Sequence, residues 1–321
     1  MKFAFFFPGQ GSQSVGMMQG LADLAVVRDT FTEASDILKE DFWHMATEPN
    51  EKLNLTSNTQ PLMLAAGVAT WRAWRMQGGQ LPAVMAGHSL GEYSALVAAG
   101  VMEFNQALPL VRYRAEVMQG AVAEGVGAMA AVLGLDDDAV RAVCAEAAQG
   151  QVLEAVNLNS PGQVVIAGHK AAVERGMEAA KAKGAKRALP LPVSVPSHCA
   201  LMRPAAEELK AYLADVELRP GNVPVLHNAD VAVYAEPNQI KDALVRQLYS
   251  PVRWVETVQA VQVQGIAASA ECGPGKVLAG LAKRIVSDLP CIALTSVDAI
   301  AEAQQQFNHY RSNHVARSIA G

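Results

Sequence analysis

The sequence predicts an α/β protein with two parts, a large domain built on a parallel sheet and a small subdomain inserted into it. Short apolar runs alternate with longer helical patterns in the N-terminal half, which is typical of a parallel sheet wrapped by helices. Residues 126–193 then show the element order βαββαβ, the ferredoxin-like pattern. We therefore expect a discontinuous large domain over 1–125 and 194–298, the small subdomain over 126–193, and a polar C-terminal tail over 299–321.

The elements of the large domain are predicted in chain order. Residues 3–7 form an apolar run too short for the core of a secretory signal, and we interpret residues 2–7 as a buried strand. A helical pattern predicts a helix over 59–77. Pro61 lies near its predicted start, and proline is tolerated in a first helical turn. The other predictions are a strand at 83–86, helices at 91–99, 106–124, 199–214, 238–248 and 275–286, and strands at 223–227, 266–271 and 291–296.

The elements of the small subdomain begin with a glycine-bounded apolar run at 127–134, which predicts a strand. The acidic run at 136–138 predicts the start of a helix to about residue 149, since acidic residues suit a helix N-terminus. Strands at 152–156, 163–167 and 186–191 and a helix at 170–183 complete the predicted pattern.

The composition limits the classes of function. The chain is 51% hydrophobic and 18% charged, which excludes intrinsic disorder, and its net charge of −5 does not indicate a nucleic-acid partner. No apolar run approaches the roughly 18 residues needed to cross a bilayer, so we expect a soluble cytoplasmic protein. The four cysteines lack a paired CxxC spacing and are predicted to be buried free thiols: Cys144, Cys199, Cys272 and Cys291.

The motif Gly87-His88-Ser89-Leu90-Gly91 fits the pattern G-x-S-x-G between an apolar strand and a helical run. A sharp turn of this kind strains the backbone of its serine and presents the hydroxyl at a helix N-terminus. The Leu90 N–H is then placed to stabilise an oxyanion. The motif predicts Ser89 as a nucleophile on an α/β-hydrolase-like domain, and the alternative is a glycine turn with an incidental serine.

A serine nucleophile needs a base, and His198 is the candidate among seven histidines. It lies at the predicted start of the helix from about residue 199. A helix N-terminus disfavours the imidazolium form and so favours a neutral ring that accepts a proton. The alternative is a structural histidine at a helix start.

Arg114 lies on an apolar helix face, because its neighbours at −4, −3, +3 and +4 are Leu110, Val111, Val117 and Met118. Arg112 instead has Glu116 at +4, which places Arg112 on the solvent face. A guanidinium on an apolar face keeps its charge and needs an anionic partner. That partner is either a substrate carboxylate, held bidentately, or an internal Asp or Glu.

Two glycine-containing loops raise the question of nucleotide binding. The dinucleotide pattern G-x-G-x-x-G fails from Gly9, because its last position is Ser14, and this argues against NAD. The loop can instead offer backbone N–H groups, with Gln10 as a second oxyanion donor. The loop at 273–276 likewise lacks the GK[ST] of a phosphate-binding loop.

Together these motifs resemble those of the bacterial malonyl-CoA:acyl-carrier-protein transacylases. The resemblance extends from residue 1 to about 297. It rests on the segments 8–13, 87–92, 127–132, 159–163, 195–198, 250–252 and 273–276 and on Arg114, Asn157 and Gln247.

The resemblance implies the roles of five catalytic residues. Ser89 is the nucleophile and His198 is its base. The N–H groups of Gln10 and Leu90 form the oxyanion hole. The main-chain carbonyl of Gln247 orients His198 in place of a triad aspartate.

The resemblance also implies the substrates and partners. Arg114 is the clamp for the malonyl carboxylate, and we predict Met118 and Asn157 as further substrate-binding residues. Malonyl passes from malonyl-CoA to the phosphopantetheine thiol of acyl carrier protein by a ping-pong reaction that supplies fatty acid synthesis. No metal, bound cofactor, nucleic acid or membrane is expected, and a monomer is predicted.

Two other functions stay open on the sequence. A serine hydrolase of the α/β-hydrolase type would share the elbow, but its expected order is Ser, then Asp or Glu, then His. A non-catalytic interaction domain would keep the fold and form no acyl-enzyme. Arg114 on an apolar face argues against the hydrolase.

Basic clusters are candidate docking sites for the carrier protein. Carrier proteins of this pathway are usually acidic and this chain is net negative, so docking needs a local basic patch. An ordinary solvated surface is the alternative for each cluster. The two clusters are Lys181, Lys183, Lys186 and Arg187 in the small subdomain, and Lys276, Lys283 and Arg284 near the Gly273 loop.

Overall fold

A computed structural model of the chain describes residues 2–193 and 195–319, and side chains up to residue 308. It confirms a mixed α/β protein with one parallel sheet and a separate antiparallel sheet. Two compact units are formed. The first unit comprises Met1–Arg112, Leu218–Leu226 and Val258–Gly321, and the second comprises Tyr113–Glu217 and His227–Thr257. These units are defined by spatial contacts, and the domain boundaries drawn from the sequence pattern stay a prediction.

The helices and strands are numbered in chain order. They are β1 (Phe3–Phe7), α1 (Ala25–Leu38), α2 (Phe42–Thr47), α3 (Thr56–Met76), β2 (Val84–Gly87), α4 (Gly91–Ala98), α5 (Phe104–Gly120), β3 (Gly127–Leu133), α6 (Asp137–Ala148), β4 (Leu153–Ser160), β5 (Gln163–His169), α7 (Lys170–Ala182), β6 (Arg187–Pro190), α8 (Arg203–Ala214), β7 (Val225–Leu226), α9 (Pro237–Gln247), α10 (Trp254–Val263), β8 (Ala268–Glu271), α11 (Val277–Ile285), β9 (Cys291–Ala293) and α12 (Val297–Ile319).

The first unit is built on a five-stranded parallel sheet in the order β7-β2-β1-β8-β9. All five residues of β1 are buried, which fits a central parallel strand covered on both faces. The Phe5 ring meets Trp71 and Trp74 edge-on, and Phe3 stacks on Phe307 of α12 at 4.4 Å. Each fully buried phenylalanine stabilises the fold by about 1.5–3 kcal/mol. The predicted N-terminal strand is thus confirmed as the centre of this sheet.

The second unit contains a four-stranded antiparallel sheet in the order β4-β5-β3-β6. Apolar residues of α6 and α7 pack against one face of the sheet, with Val140, Val173 and Ile166 in one buried cluster. Asp136 caps α6, because its Oδ1 accepts a hydrogen bond of 2.7 Å from the Ala139 N–H. The acidic residues therefore do open this helix, as predicted.

Several helices differ from the sequence predictions. Helix α3 begins at Thr56, so Pro61 lies in its second turn rather than its first. Helices α1, α2 and α10 were not predicted, and residues 299–319 of the segment predicted as a tail lie within α12, whereas residues 320–321 are outside the described part of the chain. In α12, Ile300, Ala303 and Phe307 form a buried stripe at helical spacing. Glutamines interrupt that stripe in the sequence, which therefore predicted either a frayed helix or a polar tail.

Membrane crossing and thiol chemistry were also addressed by sequence. Among the described residues, no helix combines the length and apolarity needed to cross a membrane.

Cys144, Cys199 and Cys272 are buried free thiols, as predicted, whereas Cys291 is partly exposed. Burial raises the pKa of Cys144 and Cys199 to about 12, so both thiols stay protonated at neutral pH.

Candidate active site

The elbow at Ser89 joins the end of β2 to the start of α4. Ser89 has φ +52°, in the left-handed region that non-glycine residues seldom adopt, and such a residue costs about 1–3 kcal/mol. Backbone hydrogen bonds hold it there, from the His88 N–H to Phe7 O at 2.9 Å and from the Glu92 N–H to Ser89 O at 3.0 Å. The strained strand-turn-helix geometry expected from G-x-S-x-G is therefore present.

Two glycines allow the loop after β1 to touch this elbow. A Cβ on Gly91 would lie 2.0 Å from Phe7 O, and a Cβ on Gly9 would lie 2.4 Å from His88 O. The Cβ position of Gly9 is also 3.6 Å from the Leu90 nitrogen. The backbone just before Gln10 thus lies against the backbone of the elbow, which is what two oxyanion donors on separate loops require.

A buried carboxyl group lies at the last residue of β8 in the same unit. Glu271 is fully buried, and its carboxylate accepts hydrogen bonds from the Leu278 N–H at 3.1 Å and the Ala279 N–H at 2.8 Å. Burial raises the pKa of Glu271 to about 7, against the lowering effect of these two N–H groups. The carboxylate caps α11 and so fixes the preceding loop, in which Gly273 packs on Pro8. Sequence analysis missed Glu271.

His198 lies in the second unit and is buried, with 2% of its surface exposed. Its Nδ1 is 2.8 Å from the main-chain oxygen of Gln247. A carbonyl only accepts hydrogen bonds, so Nδ1 carries the hydrogen and Nε2 is the basic nitrogen. The helical segment predicted from about residue 199 is confirmed: Cys199 precedes a 3-10 turn that begins at Ala200 and continues into α8 at Arg203. The Gln247 carbonyl, rather than a helix terminus, orients the ring.

Arg114 is 1% exposed, which confirms that it lies on a buried face of α5. Its Nη2 donates a hydrogen bond of 2.9 Å to Oε1 of Gln247. Gln247 therefore contacts Arg114 through its side chain and His198 through its main chain. The sequence indicated the buried arginine but not its amide partner.

Arg112 corrects a sequence prediction. Only 18% of its side chain is exposed, so it does not lie on the solvent face beside Glu116. Its Nη2 donates to Oδ1 of Asn58 at 3.0 Å, and Nη1 lies 3.4 Å from a carboxylate oxygen of Glu40. These partners are far away in sequence, so the helical spacing did not reveal them.

Met118 and Asn157 are the remaining predicted substrate residues. Met118 is buried one turn after Arg114, with 3% exposure. Asn157 lies at a register shift in β4 and forms a parallel bridge with Val252. Paired backbone bonds, from Leu158 N–H to Val252 O at 3.0 Å and from Val252 N–H to Val156 O at 2.8 Å, anchor the segment that follows α9.

The structure places the predicted residues in two groups. Ser89, Leu90 and Gln10 lie together in the first unit, and Arg114, His198 and Gln247 lie together in the second. Asn228 was missed by sequence, since it belongs to none of the motifs, yet it is fully buried and accepts a hydrogen bond from Gln247. Within the described residues, no group of three His, Cys, Asp or Glu side chains is arranged to hold a metal ion.

The chain is similar to known acyltransferases. The family model described as the acyl transferase domain matches residues 4–308. The malonyl CoA-acyl carrier protein transacylase of Salmonella typhimurium is 55% identical over 307 residues, which are 95% of this chain and 99% of that protein.

Two solved structures match with equal breadth. The acyl-carrier-protein S-malonyltransferase of Burkholderia pseudomallei has a TM-score of 0.93 and 58% identity, covering 95% of this chain and 100% of that one. A malonyl-transacylase in complex with a type II PKS acyl-carrier protein has a TM-score of 0.94 and 53% identity, with the same coverage. The chain therefore belongs to the acyl transferase family and is an acyltransferase of the malonyl CoA-acyl carrier protein transacylase group.

Proposed function

We propose that this enzyme transfers malonyl from malonyl-CoA to the phosphopantetheine thiol of acyl carrier protein, through a malonyl ester on Ser89. The observation that carries the proposal is the strained backbone of Ser89 at the N-terminus of α4. The names of the relatives support malonyl-CoA and acyl carrier protein as the two substrates.

In the first half-reaction, the Ser89 hydroxyl attacks the thioester carbonyl carbon while Nε2 of His198 takes its proton. The N–H groups of Leu90 and Gln10 stabilise the oxyanion. The carbon–sulfur bond then breaks, and coenzyme A leaves as a thiol with the proton from His198. The Gln247 carbonyl keeps the hydrogen of His198 on Nδ1, so that Nε2 stays basic.

The second half-reaction reverses these steps with the carrier thiol. His198 removes the thiol proton, the sulfur attacks the malonyl ester, and the bond to the Ser89 oxygen breaks. Ser89 recovers its proton from His198, so the enzyme is regenerated and no group is oxidised or reduced. A shared site for the two thiols gives ping-pong kinetics.

Selection of malonyl is assigned to Arg114, with Met118 and Asn157 as further substrate-binding residues. A buried guanidinium is stabilised by a carboxylate that binds it bidentately. An acyl group that has no carboxylate, such as acetyl, does not supply this stabilisation to the buried guanidinium. Arg114 therefore favours malonyl over acetyl.

A serine hydrolase of the α/β-hydrolase type is the second candidate, because it shares the elbow. Such enzymes pair their histidine with an acidic side chain. In this chain, Nδ1 of His198 is bonded to a main-chain carbonyl, which supports the transferase. A non-catalytic interaction domain has no need of a strained serine.

Intact mass spectrometry after mixing with malonyl-CoA tests the proposal. We expect a malonyl-sized increase that disappears in Ser89→Ala and persists in Ser94→Ala, a control serine in α4, the helix that follows the elbow. Release of coenzyme A with no lasting adduct would favour the hydrolase. Neither product would favour the interaction domain.

The finer architecture is also a proposal. The strand order β4-β5-β3-β6 with α6 and α7 supports a ferredoxin-like subdomain at 126–193. The parallel sheet and the elbow support an α/β-hydrolase-like domain over 1–125 and 194–298, with 299–321 as a C-terminal extension. The expected monomer is tested by sedimentation velocity, and the cytoplasmic location by cell fractionation.

Carrier docking is proposed at the basic cluster of Lys276, Lys283 and Arg284. In the other predicted cluster, Lys181 and Lys183 lie 3.2 and 3.8 Å from glutamate oxygens, which reduces its local positive charge. Lys283→Glu should raise KM for carrier protein about threefold to tenfold and leave KM for malonyl-CoA unchanged. Lys181→Glu is the matched control, and equal effects of both variants would contradict this docking site.

A further inference from the structure

The side chain of Gln247 has two hydrogen-bond partners of opposite kind. Its Oε1 accepts from Arg114, and its Nε2 donates to Oδ1 of Asn228 at 3.4 Å. All three residues are at most 1% exposed. The amide thus lies in a buried chain of hydrogen bonds that runs from Asn228 to the guanidinium.

The two contacts select one orientation of the amide. A guanidinium only donates, so a flipped Gln247 would direct its NH2 group at the donors of Arg114. The same flip would place its oxygen against the oxygen of Asn228. Both ends of the amide therefore favour the observed orientation, and a buried mismatch at either end costs free energy.

Asn228 is held by a strained turn. Val231, a β-branched residue, has φ +55°, and the turn is closed by bonds from Val231 N–H to His227 O at 3.0 Å and from His227 N–H to Ala232 O at 2.9 Å. Asp230 of this turn forms an ion pair of 2.8 Å with Arg246, the residue before Gln247. The turn is thereby tied to the end of α9, and strain is often retained at functional sites.

The amide contributes a neutral oxygen to Arg114. Its hydrogen bond orients the guanidinium, whereas a carboxylate at the same place would also neutralise it. Gln247 is the last residue of α9, where the carbonyl has no partner further along the helix and accepts from His198 instead. One residue thus positions both the arginine and the base.

We propose that the Gln247 side chain is a specificity-determining group for the acyl carboxylate, and that Asn228 is the residue that positions it. The neutral amide aims the Arg114 guanidinium and does not itself neutralise its charge. This inference rests on the proposed function, in which Arg114 binds malonyl.

The deciding variant is Gln247→Glu, which keeps the main-chain carbonyl that orients His198. Its carboxylate competes with the substrate for Arg114, so the malonyl-to-acetyl ratio of kcat/KM should fall about 10- to 100-fold, mainly through KM for malonyl-CoA. Gln247→Met, which has no acceptor oxygen, should lower the ratio less. An unchanged ratio in folded Gln247→Glu would overturn the proposal.

Asn228→Leu tests the positioning residue, with a fall in the same ratio of about 3- to 10-fold expected. The matched control is Asn58→Leu, because Asn58 is also buried and its Oδ1 accepts from an arginine, Arg112, at 3.0 Å. Asn58→Leu should lower the melting temperature without changing the ratio. Equal ratios in both variants would reduce Asn228 to a structural role and contradict its assignment.

The wild-type enzyme separates this inference from the proposed function. If wild type forms no malonyl adduct on Ser89, the proposed function fails. If wild type forms the adduct and prefers malonyl, while Gln247→Glu keeps that preference, the present inference alone fails. If Asn228→Leu does not fold, Gln247→Glu still decides the specificity role.

Discussion

The two groups of candidate residues are held in place by different means. In the first unit, Ser89 is set by its backbone: a positive φ, main-chain hydrogen bonds and two glycines that let β1 and the elbow touch. In the second unit, Arg114 and His198 are set by contacts to Gln247, one from its side chain and one from its main chain.

This difference between backbone geometry and side-chain contacts determines how well each group of residues can be predicted from the sequence. A backbone device uses residues next to each other, and the five residues of the elbow form a motif. A side-chain network joins positions far apart, and Arg114 and Gln247 are separated by 133 residues. Local patterns therefore point to Ser89 directly, whereas the side-chain contact between Arg114 and Gln247 is not visible in them.

The largest expected effect tests whether the two groups act as one site. Ser89→Ala and His198→Ala should each reduce malonyl transfer by roughly 10⁴-fold, because nucleophile and base act as a unit. The double variant should lose little more than either single variant. Steady-state kcat/KM of the three proteins decides this, and losses that multiply would show that the groups work independently.

Glu271 tests whether the stability of the first unit also depends on the protonation of a buried carboxyl group. Its folded pKa of about 7 exceeds the ordinary 4.5, so its stabilising contribution is full below pH 4.5 and is lost as pH rises through 7. Wild type should therefore lose about 3 kcal/mol more unfolding free energy between about pH 5 and pH 8 than Glu271→Gln, which does not titrate.

Urea unfolding of both proteins at the two pH values measures this difference. The neighbouring thiols of Cys272 and Cys291 do not interfere, because burial raises the pKa of each well above this range. Parallel changes in the two proteins would show that Glu271 titrates normally.

Arg114→Ala tests the side-chain contacts of the second unit. Loss of a charge-assisted pair worth roughly 1.5–3 kcal/mol should lower malonyl transfer about 10- to 150-fold. The acetyl group of acetyl-CoA has no carboxylate for Arg114 to bind, so the variant should not reduce acetyl transfer. The malonyl-to-acetyl ratio of kcat/KM should therefore fall. A lower melting temperature with both activities reduced in proportion would instead indicate an internal structural role.

The smallest expected effect concerns glycines on two helices. Gly91→Ala places a Cβ 2.0 Å from Phe7 O, and the forced backbone shift should cost about 1–3 kcal/mol. Gly280→Ala is the matched control on α11, where the Cβ meets nothing within 4 Å. It should stabilise the protein by up to about 1 kcal/mol. Equal melting temperatures for the two variants would contradict a backbone-built elbow.

Much of the architecture was predictable where one local property dominated. The run at 2–7 predicted a buried strand because only a strand covered on both faces accommodates consecutive phenylalanines. Asp136 predicted a helix start because its carboxylate caps the first N–H groups. Helix α1 was missed although Val27, Phe31 and Ala34 form a buried stripe, since polar residues separate them.

The sequence by itself determined the strand-turn-helix setting of Ser89, the burial of Arg114 and the family to which the chain belongs. The first two follow from residues within one helix turn or one motif of each other, and the family follows from several short motifs spread over residues 8–276. Only the tertiary structure decided that Arg112 contacts Asn58, that the Gln247 side chain contacts Arg114, and that Glu271 caps α11. These contacts join distant segments, and nothing in the spacing of residues along a chain specifies which distant side chain supplies a buried polar group with its partner.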